Sequence, residues 1–226
     1  MQDAEAQRDL QIVIRSIITM FDNMHGAISL EQLLETGYGP GAGSRNFKLM
    51  TKLGNTTAAF AIQLHSRLYS KEITLCITRI LDREGDDRAS LGEIFRKLKK
   101  PKTLAALDAY CQAERELQKS RPTAEWLAEI EKAYLDLRDG SGKEDVKKLF
   151  DARHSYIAHS LLREPETATY NALFATVYKT AEIVSELSKL IGLNTVGFEP
   201  HRQTAQFNAE AYWDALIDGK VRKLPS

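Results

Sequence analysis

The segment DARHSYIAHS, residues 151–160, brings an arginine, two histidines and a terminal hydroxyl together near the end of a predicted helix. His154 follows Arg153 directly, and His159 comes five positions after His154. The helix is predicted over residues 144–162 because apolar residues recur along it at helical spacing: Val146, Leu149, Phe150 and Ile157. The reactive side chains are therefore expected on a helix that also packs against a core.

Helical patterns extend along the chain on both sides of this segment. Ser29 and Ser90 each head a capping box, and the helix over residues 45–81 is expected to bend near Gly54. The low counts of glycine (13) and proline (6) agree, and no alternating strand pattern is present. The sequence predicts an all-α fold, with further helices at residues 4–23, 29–36, 45–81, 90–100, 103–120, 123–138, 167–190 and 205–217.

The length of the chain bounds its domain organisation. A chain of 226 residues with 43% hydrophobic content is long enough for one full core. We interpret residues 1–50 as an N-terminal helical extension packed on the bundle, and residues 51–226 as the helical domain itself. The expected architecture is a helical bundle with additional N-terminal and C-terminal helices, forming a single globular unit.

Charge and cysteine usage restrict the class of protein. Charged residues make up 27% of the chain and balance to zero, which argues against a generally basic nucleic-acid binder but allows contact with RNA inside a local cleft. Cys76 and Cys111 have no metal-type spacing and are expected to be ordinary thiols of a reduced, cytoplasmic protein. The N-terminus lacks the basic region of a signal peptide, and Arg15 interrupts the strongest apolar run, so no membrane span is expected.

Patterns typical of metal, phosphate-loop and acyl-transfer sites are missing from the sequence. His154 and His159 are five positions apart, not the four that let two histidines bind one zinc ion from one helix face. The glycine-rich loop at residues 37–44 is not followed by Gly-Lys-Ser/Thr, and there is no Gly-x-Ser-x-Gly elbow. Three other histidines have no ligand partners at helical spacing: His25, His65 and His201. We therefore predict no metal and no cofactor.

The segment RHSYIAHS, residues 153–160, resembles the signature of the HEPN superfamily (higher eukaryotes and prokaryotes nucleotide-binding). That signature is an arginine, then Asn, Asp or His, then four to six residues, then a histidine. Arg153, His154 and His159 fill these places. The wider segment, which includes LCITRILDREGDDRASLGEIF at residues 75–95, is similar to the abortive-infection, AbiU-like branch. The resemblance covers residues 55–190.

This resemblance implies a helical bundle of HEPN type whose active members are metal-independent endoribonucleases, often toxins or antiviral effectors. It implies RNA as the substrate, leaves room for a neutralising partner protein, and suggests a homodimer in which the motifs of two protomers face one cleft. Some relatives are inactive and serve only as interaction or nucleotide-binding modules, and this alternative remains open for the present chain.

The residue chemistry suits RNA cleavage without metal. Histidine titrates near neutral pH, so His159 can take a proton from the ribose 2′-hydroxyl or give one to the departing 5′-oxygen. The forked guanidinium of Arg153 can stabilise charge that builds up on the phosphate oxygens. His154 can orient this pair, bind phosphate or act as the second acid or base. Tyr156 and Ser160 are candidate hydrogen-bonding residues for RNA.

Helix geometry limits what one copy of the motif can do. Six residues of a regular helix leave Arg153 and His159 about 120° apart around the axis and about 9 Å apart along it. One ideal helix does not direct both side chains at one phosphorus atom, so we predict a two-fold dimer that supplies a second copy.

A purely structural role for Arg153 is the competing interpretation. In that case the arginine pairs with a carboxylate inside the bundle, and His159 donates to a backbone carbonyl near the helix end. Arg79 and Asp82, three positions apart, can form a helical ion pair of their own, which is interpreted as structural, with a support role beneath an active site as the alternative.

Overall fold

The computed structural model describes residues 2–38, 45–54, 56–83, 89–114, 122–158, 169–193 and 196–218. Every regular element in these ranges is an α-helix, which confirms the predicted all-α fold. The helices are α1 (Gln2–Tyr38), α2 (Arg45–Leu53), α3 (Thr57–Ile80), α4 (Leu91–Leu98), α5 (Pro101–Glu114), α6 (Thr123–Asp139), α7 (Lys143–Ala158), α8 (Tyr170–Leu190) and α9 (Glu199–Asp218).

Helix α1 runs through the bundle and packs against α3, α8 and α9. Its buried side chains recur every three or four residues and join those of α3 and α8 in one apolar core: Val13, Ile17, Met20, Met24 and Ile28. The sequence predicted two helices here, but the structure has one. The hydroxyl of Ser29 donates to the backbone carbonyl of His25 at 2.9 Å, as in a helix interior, instead of capping a new helix. A domain boundary at residue 50 remains a prediction.

The predicted helix over residues 45–81 is divided into α2 and α3 at Gly54. The backbone N–H of Gly54 donates to the carbonyl of Met50 at 2.9 Å, and its φ of 60° is in the left-handed region that ends helices. Helix α3 then has its own cap, because the side chain of Thr56 accepts from the N–H of Ala59 at 3.3 Å. The expected bend is therefore a complete break.

The other helix ends follow the sequence more closely. Ser90 caps α4 as predicted, accepting from the N–H of Glu93 at 3.3 Å. The last predicted helix begins six residues earlier than expected, since α9 covers Glu199–Asp218, and it packs along α1. Within the described ranges, no helix is both long enough and apolar enough to cross a bilayer.

Candidate functional site

Helix α7 positions Arg153 at the edge of the bundle core. Val146, Leu149 and Ala152 are buried on one face of α7, three residues apart, and this face packs the helix against its neighbours α3, α6 and α8. Arg153 follows Ala152 directly and is partly covered, with 16% of its side chain exposed. The apolar spacing read from the sequence thus fixes the side of α7 that carries the arginine.

Asp82 is the partner that the fold brings to Arg153. The Nη1 atom of Arg153 donates to Oδ2 of Asp82 at 2.8 Å, and 13% of the Asp82 side chain is exposed. The Arg153 guanidinium also lies 5.9 Å from the centre of the Phe150 ring. Asp82 is the second residue after the C-terminal end of α3, so the pair joins the end of α3 to α7 across the bundle.

This pair holds the guanidinium in one orientation. A hydrogen bond between charged groups is about twice as strong as a neutral one, and a planar guanidinium loses few conformations when one N–H is fixed. Arginine carries five N–H donors in total, so one bond to Asp82 leaves the group able to offer others to a phosphate. The same carboxylate offsets part of the positive charge of Arg153, as the structural interpretation predicted.

The other motif residues are placed only in part. His154 is exposed on α7, and because successive helical residues differ by about 100° in direction, it leaves the helix on a different side from Arg153. Tyr156 belongs to α7. His159 and Ser160 lie outside the described residues. The structure therefore brings Arg153 and His154 to one stretch of α7, and the predicted roles of all five residues stay predictions.

Asp82 is the residue whose partner sequence reasoning missed. Its spacing to Arg79 predicted a local helical pair, whereas its ion pair is with Arg153, 71 positions later in the chain. Arg79 is exposed on α3. A half-buried arginine needs a carboxylate partner, and this need could have indicated that Arg153 forms an ion pair. The sequence alone does not identify which of the 31 acidic residues is that partner.

Other groups considered from the sequence have different surroundings. Burial raises the pKa of the Cys76 thiol to about 11, which leaves it protonated and a poor nucleophile at neutral pH. His25 and His201, expected to be isolated, have ring centres 4.5 Å apart, and Nε2 of His201 donates to the His25 carbonyl at 2.9 Å. Burial lowers the pKa of His201. The described residues contain no group of three or more His, Cys, Asp or Glu side chains suited to a metal ion.

A groove of about 410 Å³ lies between α6 and α8. Trp126 lines it, and its Nε1 donates to Glu186 at 2.9 Å. The groove is rich in carboxylates, which would repel an RNA phosphate: Glu129, Asp136, Glu182 and Glu186.

Replacing Asp82 by asparagine tests whether the carboxylate supports Arg153. Loss of the charge leaves a half-buried guanidinium without its counter-ion, so we expect the free energy of unfolding to fall by about 1–3 kcal/mol. Chemical denaturation measures this change. The matched control is Asp145→Asn, which removes an exposed carboxylate 3.7 Å from Lys148 and is expected to cost less than about 0.5 kcal/mol. Equal stability of the Asp82 variant and wild type would contradict a supporting role.

The fold and the motif together define the class of protein. The chain is an all-α bundle that carries the sequence Arg-His-x₄-His, and Asp82 holds the arginine of this motif, Arg153, at the edge of the core. The bundle and the motif are the features on which the HEPN resemblance rests. A family model with the description HEPN, AbiU2 matches residues 27–212. The chain belongs to this AbiU2-like abortive-infection family of HEPN proteins. Comparison with curated proteins and with solved structures returned no match.

Proposed function

We propose that this protein is a metal-independent endoribonuclease that cleaves RNA and leaves a 2′,3′-cyclic phosphate. The observation that carries the proposal is the position of Arg153: it belongs to the family motif, and Asp82 holds its guanidinium at 2.8 Å near the surface of α7. A fixed, forked cation of this kind suits the oxygens of a phosphodiester. The proposed setting is the cytoplasm, in antiviral defence or as a toxin that a partner protein neutralises.

The proposed reaction is an in-line transfer within the substrate. One histidine, His159, takes the proton from the ribose 2′-hydroxyl, and the 2′-oxygen bonds to phosphorus. The bond from phosphorus to the 5′-oxygen breaks, and that oxygen receives a proton from a second acid. Arg153 stabilises the charge on the non-bridging oxygens. Two groups can supply the second acid, namely His154 and the partner's His159, while Tyr156 and Ser160 contact the RNA.

A homodimer is part of this proposal. Two copies of α7 around a two-fold axis would place both motifs at one cleft, so that the histidine of one protomer works with the arginine of the other. This arrangement removes the geometric difficulty of a single helix, since an ideal α-helix would place Arg153 and His159 about 120° apart.

The test is cleavage of a fluorogenic RNA by the purified protein in EDTA. We expect cleavage to persist in EDTA, to yield a 2′,3′-cyclic phosphate terminus, and to be lost in Arg153→Ala and His159→Ala. Loss of wild-type cleavage in EDTA would point to metal chemistry. Equal cleavage by the wild type and both variants would remove these residues from the mechanism.

A non-catalytic interaction module is the second candidate function. The observation in its favour is the compensation of the Arg153 charge by Asp82, in a chain whose net charge is zero. This candidate predicts no cleavage of any RNA by the wild type, and loss of stability instead of activity in Arg153→Ala.

A further inference from the structure

One segment of the chain departs from its overall charge balance. Between Thr36 and Lys71 the sequence contains no aspartate or glutamate, although the whole chain has 31 acidic and 31 basic residues. This segment includes α2 and the first half of α3. Its basic side chains are Arg45, Lys48, Lys52, Arg67 and Lys71.

Two of these cations are engaged by α9. Arg45 lies 4.0 Å from the carboxylate of Asp214, and Nζ of Lys52 donates to the carbonyl of Ile217 near the C-terminal end of α9. Lys48 and Arg67 are exposed and form no ion pair in the part of the chain that the structure describes. At Lys48 and Arg67 the segment therefore presents positive charge to solvent.

The same segment exposes large apolar side chains. Phe47 on α2 and Phe60 on α3 are 68% and 66% exposed, and Leu64 and Leu68 continue from Phe60 at four-residue intervals along α3. Side chains spaced by three or four residues share a helix face, so Arg67 and Lys71 accompany this stripe. We name the set the α2–α3 surface: Phe47, Lys48, Phe60, Leu64, Arg67, Leu68 and Lys71.

We propose that the α2–α3 surface binds single-stranded RNA and feeds it to the Arg153 site, an inference that rests on the proposed function. Surfaces that bind single strands combine cations along the backbone with aromatic rings on which bases stack. Phe47 beside Lys48 on α2, and Phe60 on the same face of α3 as Arg67, supply both kinds of group. The charge complements an anionic polymer. A second copy of the same surface would bring like charges together, which disfavours a dimer contact here.

The stripe lies on the helix that ends beside the Arg153 site. Its exposed part runs from Phe60 to Lys71, whereas Thr78, nearer the C-terminal end of α3, is 0% exposed, so a bound strand has to leave this face beyond Lys71 to reach the carboxylate that holds Arg153. At about 1.5 Å per residue, Lys71 and Phe60 lie about 17 Å and about 33 Å from Asp82 along the helix axis. A strand that rises about 3.4 Å per nucleotide needs roughly 5–10 nucleotides to cover that path.

Binding of an uncleavable strand tests the proposal separately from catalysis. The probe is a fluorescein-labelled 2′-O-methyl oligouridine of 12 nucleotides, which has no 2′-hydroxyl nucleophile, and the readout is fluorescence anisotropy between 50 and 200 mM KCl. We expect Lys48→Glu/Arg67→Glu to bind about tenfold more weakly or worse, and to reduce the slope of log K against log salt by about 1.4, or about 0.7 for each lost phosphate contact. We expect Phe47→Ala/Phe60→Ala to bind at least about fivefold more weakly because stacking is lost.

Control variants make the same change of charge, or remove exposed apolar side chains, elsewhere on the protein. Lys132→Glu/Lys179→Glu changes the charge by the same amount on α6 and α8, and Leu135→Ala/Leu193→Ala removes other exposed apolar side chains. Both controls are expected to bind as the wild type does. Circular dichroism confirms that each variant is folded before binding is measured.

Weaker binding in both α2–α3 variants with unchanged controls supports the proposal, even if the wild type cleaves no RNA. Wild-type affinity in the charge-reversed variant overturns it. A second result also overturns the proposal: the protein binds phosphatidylglycerol vesicles through Phe47 and Phe60 but does not bind the oligonucleotide. The surface would then dock on a membrane. When the wild type cleaves RNA, the charge-reversed variant should lose more cleavage activity on a 12-nucleotide RNA than on a 4-nucleotide RNA. An equal loss of activity on both substrates overturns the link between the α2–α3 surface and the Arg153 site.

Discussion

RNA cleavage is expected to fall by about 10²–10³-fold when Arg153 is replaced by alanine, because loss of one preorganised donor to the transition state costs about that much. Lysine at the same position should restore only part of the rate. Its single ammonium cannot donate to Asp82 and to a phosphate in the fixed fork of a guanidinium. The measurement is the initial rate on a fluorogenic RNA at a substrate concentration well below KM.

Arg138→Ala provides the control for loss of a half-buried arginine. Arg138 donates to the hydroxyl of Tyr134 at 2.6 Å at the end of α6 and has no part in the motif. Its replacement should leave the rate per folded molecule unchanged. If Arg153→Ala and Arg138→Ala lower cleavage equally, the effect of Arg153 is structural.

Mixing two inactive variants tests the shared cleft. Each site of the proposed dimer pairs the arginine of one protomer with the histidine of the other. A mixed dimer of one Arg153→Ala subunit and one His159→Ala subunit therefore has one site with both substitutions and one intact site. Random exchange makes half of the dimers mixed, so activity should return to about a quarter of the wild-type value. If no activity returns after complete exchange, the arrangement in which Arg153 of one protomer acts with His159 of the other, with His154 as the second acid, is wrong.

The fold was predictable from the sequence because apolar spacing determines which side of each helix is buried. Val146 and Leu149 are buried on α7 as their spacing predicted, and Ser90 caps α4. Local signals failed where packing outweighed them. Ser29 heads a capping-box sequence, yet the burial of Ile28 and Leu34 on either side of it keeps α1 continuous.

The candidate site was predictable only where its parts are close in sequence. Arg153 and His154 are adjacent, so their place on one helix followed from the apolar pattern of α7. Asp82 is 71 positions from Arg153, and only the packing of α3 against α7 brings the two together. The α2–α3 surface was not predicted, for two reasons. The net charge of zero is an average over the chain and does not show that one segment lacks acidic residues. Helical spacing alone does not show that Phe60 is exposed.

The largest expected loss of stability comes from Arg202→Ala. The Nη1 atom of Arg202 donates to both carboxylate oxygens of Glu31 at 3.0 and 2.9 Å, and this pair joins α9 to α1. Glu31 is only 1% exposed. Removal of the arginine leaves a buried carboxylate without its counter-ion, so the free energy of unfolding should fall by about 3–5 kcal/mol at pH 7.5 in chemical denaturation.

The pH dependence of this loss identifies its cause. Burial raises the pKa of the Glu31 carboxyl above its ordinary value, while Arg202 acts in the opposite direction, so the pKa rises further in the variant. A carboxyl with a raised pKa in the folded state takes up protons on folding, and its contribution is favourable at low pH and is lost as pH rises through the folded-state pKa. The loss of unfolding free energy in Arg202→Ala relative to wild type should therefore shrink between pH 7.5 and pH 5.

The double variant Glu31→Gln/Arg202→Ala is the control, because it carries no buried charge at this position. It should be more stable than Arg202→Ala at pH 7.5, and its loss of unfolding free energy relative to wild type should not depend on pH. A deficit of Arg202→Ala that stays constant over this range would assign the loss to packing of the arginine side chain and not to the uncompensated carboxylate.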